Sequence, residues 1–289
     1  MLRSRGRRAV AAAAVVLGLA AAVAVARSSG PTRSAAPGRS LTVATWNMCG
    51  VRQWNCADFG SSAVKERELR RLATRAGARV VFLQEACAGD VRAVREALGR
   101  SWHTAFRPYG VRDRAGHVGT VRCAGSGQGP AGIAILAAYP LSSVTAVPSQ
   151  QPTVGLQRGI LCASVAAHRV RLCTAHLSPT GSDRAHPGWE FRDDQLRALV
   201  AAVPARRTVY GGDLNVNPPG DGNSASWVWP AAPYTDYREC DGLPDSARST
   251  HVSGHKLDYL FTGLPRRRCT VRDTGASDHF ALIMRVGTD

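Results

Sequence analysis

Lysine is almost missing from this chain: of 37 basic residues, all but Lys65 and Lys256 are arginine. With 21 acids the formal charge is +16 and the pI is near 10.5. The arginine excess accompanies an Ala- and Gly-rich composition, so charge alone says little about a partner. None of the eight cysteines forms a CxxC pair, which argues against a zinc ribbon and a thioredoxin-type redox motif. No internal repeat is present, and no Ser or Cys stands in a recognisable nucleophile elbow. What is there is ordinary for a globular protein: 44% hydrophobic and 20% charged residues exclude wholesale disorder and collagen-like structure. At 289 residues the chain is long enough for one large α/β domain or two average ones.

The N-terminus has to be set aside before the fold is read. Arg3, Arg5, Arg7 and Arg8 precede an uncharged apolar run from Ala9 to Ala26, which closes with Ala24-Val25-Ala26 in small-x-small form. Residues 1–26 read as a secretory signal peptide. The alternative is an uncleaved membrane anchor, because a run of this length just suffices to span. Either way the rest is exported, as a secreted, extracellular protein or a membrane-anchored one. Cleavage after Ala26 takes the formal charge from +16 to +12. Residues 27–40 read as a flexible leader, ahead of a folded domain at 41–289.

In an exported protein, eight cysteines suggest up to four disulfides. Residues 159–166 and 169–177 read as strands joined at Ala167-His168, a hairpin that sets Cys162 opposite Cys173. Cys49 and Cys56 are placed to close a short loop.

From residue 41 onward apolar strands alternate with amphipathic helices. Strands are expected at 41–47, 79–84, 102–107, 131–138, 157–166, 169–177, 207–212, 256–261 and 278–286. Helices are expected behind Ser61/Ser62, at 90–98 between Asp90 and Gly99, and near 189–202. Gly- and Pro-rich stretches at 108–130 and 217–233 read as long loops. Gly132 to Ala138 is apolar enough for burial on both faces, which implies sheets covered by helices or by each other.

Polar residues gather where these strands end: Trp46-Asn47, Gln84-Glu85, Thr174-Ala175-His176, Gly211-Gly212-Asp213-Leu214-Asn215, Lys256-Leu257-Asp258 and Ser277-Asp278-His279. Strand ends are common site material, because the scaffold holds them while loops admit a ligand. Carboxylates, carboxamides and two His suit a hard, oxygen-liganded cation and an activated water.

In this order the set resembles the endonuclease/exonuclease/phosphatase superfamily over roughly residues 41–287. Gly132-Ile-Ala-Ile-Leu, Tyr139-Pro140-Leu141 and Gln157-Arg158-Gly159 add to the likeness. The resemblance implies a deoxyribonuclease I-like fold: α/β, two packed mixed β-sheets flanked by helices in a four-layer α/β/β/α sandwich. It implies Glu85 and Asn47 as metal ligands for Mg²⁺, with Mn²⁺ or Ca²⁺ as other choices. His279 would act as general base or stabilise the transition state, with Asp258 orienting its ring and Asp278 beside it. Asp213 would position water or leaving group, Asn215 would donate to a phosphoryl oxygen, and His176 would bond the scissile phosphate or protonate the leaving oxygen. Arg107, Tyr109 and Arg158 are candidates for substrate contact, and Trp227, Trp229 and Tyr234 for the rim. Cys49 occupies a position where some nuclease members carry a second metal-binding acid, which favours a single metal.

The expected activity is metal-assisted phosphodiester hydrolysis of nucleic acid, DNA favoured, by a monomer with no implied protein partner. A second reading is a sphingomyelinase-like or inositol-phosphate phosphatase-like hydrolase acting on a phospholipid headgroup, with Trp227-Val228-Trp229-Pro230 as a membrane-inserting tip. A third is a secreted binding module that has lost catalysis.

Overall fold

The computed structural model describes residues 39–289. Residues 1–38, where the signal or anchor segment and most of the leader are expected, lie outside the described residues. In chain order the first half comprises β1 (Ser40–Asn47), α1 (Ser62–Thr74), β2 (Val80–Cys87), α2 (Ala88–Leu98), β3 (His103–Pro108), β4 (Gly110–Arg112), β5 (Val118–Thr120) and β6 (Ala131–Ala137). There follow β7 (Ser142–Val147), β8 (Gly155–Gln157), β9 (Gly159–Val165), β10 (Val170–His176), α3 (Arg192–Ala201) and β11 (Thr208–Asp213). The last elements are α4 (Ala232–Thr235), β12 (Arg238–Glu239), β13 (Asp258–Thr262), β14 (Arg266–Arg272) and β15 (Ala281–Gly287).

Two mixed six-stranded sheets are stacked. The first runs β14-β15-β1-β2-β6-β3, the second β12-β13-β11-β10-β9-β7. Three apolar layers glue the stack. Val43, Phe82, Ile133 and Ile135 of the first sheet meet Leu161, Leu172, Val209 and Leu260 of the second. On the outer face of the first sheet, Ala44, Val81 and Leu83 pack under Leu69 and Leu72 of α1 and Val91 and Val94 of α2. On the outer face of the second, Ile160, Ala175 and Tyr259 pack under Leu196 and Leu199 of α3. The result is the four-layer α/β/β/α order. Period-2 alternation along β1 and β2 serves both layers at once, which is why these strands read as continuous apolar runs.

Local departures from the sequence expectations have physical causes. The β9–β10 hairpin keeps the expected register, Cys162 opposite Cys173, and the two are bridged. Its turn is longer, a 3₁₀ turn over Ala166–His168 followed by Arg169 in the left-handed region, because Ala-His cannot make a two-residue turn cheaply. Cys49–Cys56 is bridged, as are Cys87–Cys123 and Cys240–Cys269. Helix α2 starts at Ala88, and Asp90 does not open it: its carboxylate accepts bonds from Ser62 Oγ and Gln128 Nε2. The stretch 108–130 is not simply a loop, since β4 and β5 lie within it and join β8 in a small three-stranded sheet. Trp229 is 9% exposed and packs edge-on against Tyr234 and Tyr259; Trp227 alone, 63% exposed, faces solvent. A membrane-inserting Trp-Val-Trp tip is therefore not formed, because burial of the second ring leaves a single exposed anchor.

Candidate active site

The second sheet presents a row of three side chains. His176 ends β10, Asp213 ends β11 and Asp258 opens β13, and ladder register pairs His176 with Asp213 and Asp213 with Asp258. Strand β11 reaches this row through Gly211 and Gly212, both at positive φ; a Cβ on either would overlap the Tyr259 or Ala175 carbonyl. The first sheet supplies Asn47 at the end of β1, Glu85 in β2 and His279 before β15. Asn47 Nδ2 donates to Asp213 Oδ2 at 3.0 Å, which closes the two sheets over the site.

Glu85 owes its direction to a bulge. In β2, Val80 and Phe82 face the inter-sheet layer while Val81 and Leu83 face the helices. Alternation would send Glu85 toward the helices as well. Pairing with β6 instead slips between Leu83 and Ala86, Glu85 adopts φ 49°, and beyond it Ala86 faces the helices and Cys87 the inter-sheet layer. Bulges often re-aim a side chain in this way. The strained residue is held by its own backbone: its N–H donates to Tyr109 Oη at 3.0 Å and its carbonyl accepts from Gly50 N–H at 3.0 Å.

Charges in the site are unevenly satisfied. His279 Nδ1 lies 2.8 Å from Asp258 Oδ2, and its Nε2 3.8 Å from Asp213 Oδ2. Burial works against the charged ring, but Asp258, Asp213 and Asp278 outweigh it and lift His279 to about 10. It is therefore an imidazolium at neutral pH. His176 Nε2 lies 3.3 Å from Asp213 Oδ2 and its Nδ1 2.7 Å from Tyr109 Oη. Burial, with Arg158 and His279 nearby, holds His176 well below its usual range, so it is neutral. With the Tyr109 hydroxyl accepting from Glu85 N–H and donating to Nδ1, the His176 proton sits on Nε2, toward Asp213. Burial also raises Asp213, whose Oδ1 accepts from Asn215 N–H.

Two groups are uncompensated. Burial pushes the Glu85 carboxyl up to about 7, against the lowering charges of Arg158 and His279. Its one recorded contact, Cys56 Sγ at 3.6 Å from Oε2, belongs to an oxidised sulfur without a proton to give. Arg158, between β8 and β9, has its Nε buried without a hydrogen-bond partner among the described residues, and its charge acts on Glu85, Tyr109 and Asp213. The carboxylate and the guanidinium act on each other's charge without forming an ion pair. Glu85, with the second lone pair of Asn47 Oδ1, fits a hard divalent ion. Asp213, Asp258 and His279 also bring ligand atoms within 4.8 Å of one another, but their mutual contacts make them a proton-holding relay.

Other predicted residues fall elsewhere. Asn215 is not on the strand: it turns at φ 51°, and its Nδ2 donates to the Leu177 carbonyl, leaving one amide hydrogen for a ligand. Tyr109 is fully buried and orients His176 and Glu85. Arg107 is not brought to the cluster; its Nη1 ties the carbonyls of Val147 and Ile160 in the second sheet. Asp278 is half-buried and faces His251, with Nε2 to Oδ2 at 3.5 Å. His251 itself was not foreseen. Its ring lies edge-on to His279, centroids 4.6 Å apart, and only the tertiary path of the 240–257 loop brings it there.

The profile of the endonuclease/exonuclease/phosphatase family matches residues 44–279. This chain belongs to that family. No curated protein sequence matches it significantly. Among solved structures it is similar to an endonuclease/exonuclease/phosphatase from Beutenbergia cavernae (TM-score 0.61, 21% identity, covering 86% of this chain and 72% of that one). It is also similar to the human Nocturnin catalytic domain with bound sulfate (TM-score 0.61, 16% identity, 86% and 95%). A third likeness is to TDP2 from D. rerio complexed with a single-strand DNA product (TM-score 0.53, 18% identity, 86% and 99%).

Proposed function

We propose that this protein is an exported, Mg²⁺-dependent endonuclease that hydrolyses nucleic-acid phosphodiester bonds. The reading rests on one observation: the part-buried Glu85 carboxylate and Arg158 guanidinium are close enough to act on each other's charge, yet neither makes an ion pair among the described residues, and Arg158 Nε is buried without a hydrogen bond. A metal ion and a phosphodiester together would satisfy both.

Glu85 and Asn47 would hold the metal, which when bound supplies charge neutralisation at a phosphoryl oxygen. Arg158 would bind a non-bridging oxygen of the same phosphate, in a position where its charge costs no reorganisation. The His279 imidazolium, held by Asp258, stabilises negative charge on the non-bridging phosphoryl oxygens in the transition state; as a cation it is not the base. Asp213, with its raised affinity for a proton, orients the attacking water and accepts its proton. Neutral His176 donates from Nε2, and the second amide hydrogen of Asn215 donates beside it. Tyr109 fixes the tautomer of His176. The DNA product held by the D. rerio structure supports a nucleic-acid substrate. The buried Trp229 removes the feature that favoured a lipid.

Nicking of supercoiled plasmid by the oxidised protein in Mg²⁺ tests the reading. Cleavage is expected to vanish with EDTA and in His279→Ala; an intact plasmid with folded protein would refute it.

A further inference from the structure

The flank of the first sheet farthest from β3 carries a feature that catalysis does not use. Along β14, Cys269 and Val271 pack toward the inter-sheet layer, so Arg268, Thr270 and Arg272 share the opposite face. Register with β15 places Arg285 directly across from Arg268 and Ile283 across from Thr270. Helix α1 stops at Thr74 and leaves this flank uncovered, and Arg75 forms the far wall. The result is a groove of about 340 Å³ rimmed by Arg75, Arg268, Arg272 and Arg285.

None of these four guanidinium groups has an ion-pair partner among the described residues. Other arginines on the surface also lack a carboxylate partner; what sets these four apart is that they rim one groove together. Arg285 donates only to the Ser40 hydroxyl. The nearest acid in sequence, Asp273, accepts from Gly275 N–H in its own turn. Residues 1–38 contain no Asp or Glu, so the leader brings no neutralising charge. Two arginines directly opposite on a ladder repel each other. Edge-strand protection needs charges but not a concave, one-sign set drawn from three elements.

We propose that this groove is an exosite for the phosphate backbone of a nucleic-acid strand. Arginine matches phosphate with its planar fork, and Thr270 adds a hydroxyl donor. No exposed large apolar side chain lies on the groove, so nothing there would insert into a bilayer. Arg272 pairs with Ala281, two residues beyond His279, while Arg268 lies four positions further on. At roughly 3.3 Å per residue the stripe leads about 13 Å away from the site, long enough to follow a strand rather than hold one phosphate. The groove thus deepens the nuclease reading, on which it rests: it would hold a polymer at a distance from the bond being cut and favour long substrates over short ones.

The test is a salt titration of binding, in EDTA, to a fluorescein-labelled single-stranded oligodeoxynucleotide. In Arg268→Ser/Arg272→Ser, the plot of log affinity against log salt should be shallower by about 0.7 for each phosphate contact removed. The control Arg95→Ser/Arg197→Ser, equal in charge change, should keep the wild-type slope. Hydrolysis of bis(p-nitrophenyl) phosphate, which is too small to reach the groove, should match wild type. An unchanged slope in the groove variant, an equal change in the control, or loss of binding to phosphatidylglycerol vesicles alone would overturn the proposal. Wild-type failure to cleave any phosphodiester would instead defeat the nuclease reading, while the slope still reports on the groove.

Discussion

Two clusters of buried charge sit in the second sheet and its border, and they differ in one respect. Around Lys256, attraction is matched: Nζ lies 2.7 Å from Asp241 Oδ2 and 3.3 Å from Glu239 Oε1, and Arg248 also pairs with Asp241. Lys256 and Arg248, helped by backbone N–H bonds, outweigh burial and hold Asp241 below the usual carboxylate range. Around Asp213, Glu85 and Arg158 have no ion-pair partner among the described residues. An unbonded oxygen does not by itself separate the two clusters, because Glu239 Oε1 in the first and Asp258 Oδ1 in the second both lack a hydrogen bond. What separates them is the counter-ion: each charge of the first cluster has one within the protein, and Glu85 and Arg158 of the second do not.

The largest expected effect breaks the second cluster. His279→Ala and Asp213→Asn should each lower turnover by about 10² to 10⁴-fold, measured with plasmid; circular dichroism should show both folded, with the His279→Ala melt lowered because Asp258 loses its buried ion-pair partner. Lys256→Met should act on the fold instead. Leaving Glu239 buried and unpaired, with Asp241 held by Arg248 alone, should cost about 3–5 kcal/mol by urea titration, with activity per folded molecule retained. Arg158→Ala should be intermediate, weakening cleavage while slightly stabilising the protein, because a partnerless guanidinium is removed.

The smallest effect is in pH. In the metal-free protein Glu85 has a folded pKa of about 7, above its ordinary 4.5, so its charging destabilises the fold as pH rises through that window. His279, raised from 6.5 to about 10, gives stability that is full below 6.5 and lost as pH rises through 10. Glu85 and His279 therefore each contribute a decline of melting temperature toward alkaline pH in EDTA, opposed below 6.5 by His176, held well below its usual range, and above about 8 by Lys65. Glu85→Gln should flatten the lower part of that decline and His279→Ala the upper part. A profile identical in all three proteins would mean that neither group is perturbed as described.

Much of the layered fold was legible from periodicity, because β1, β2, β6 and β10 are buried on both faces and read as unbroken apolar runs. Strand β14, Arg266–Arg272, was not: only Cys269 and Val271 point inward, and arginines disguise the alternation. Strand β7 is an exposed edge whose Ser and Thr carry no strand signal. In the candidate site, Asn47, Glu85, His176, Asp213, Asp258 and His279 were visible because each polar residue stands near one end of an apolar strand. Tyr109, Arg107 and His251 were misjudged or missed, since their surroundings come from segments remote in sequence. Local pattern tells where a chain turns polar, not which distant carbonyl or ring will meet it.

The bulge at Glu85 has a further meaning for how such a protein tolerates change. The direction of this carboxylate depends on a count of residues, one more on β2 than on β6 between Leu83 and Ala86. Removing Ala86 would keep net charge and strand propensity, yet restore strict alternation and turn the acid into the packed layer beneath α1. The site is thus more vulnerable to a one-residue deletion in an unremarkable strand than to many substitutions around its rim. Strand length, and not only residue identity, is inherited as part of the chemistry.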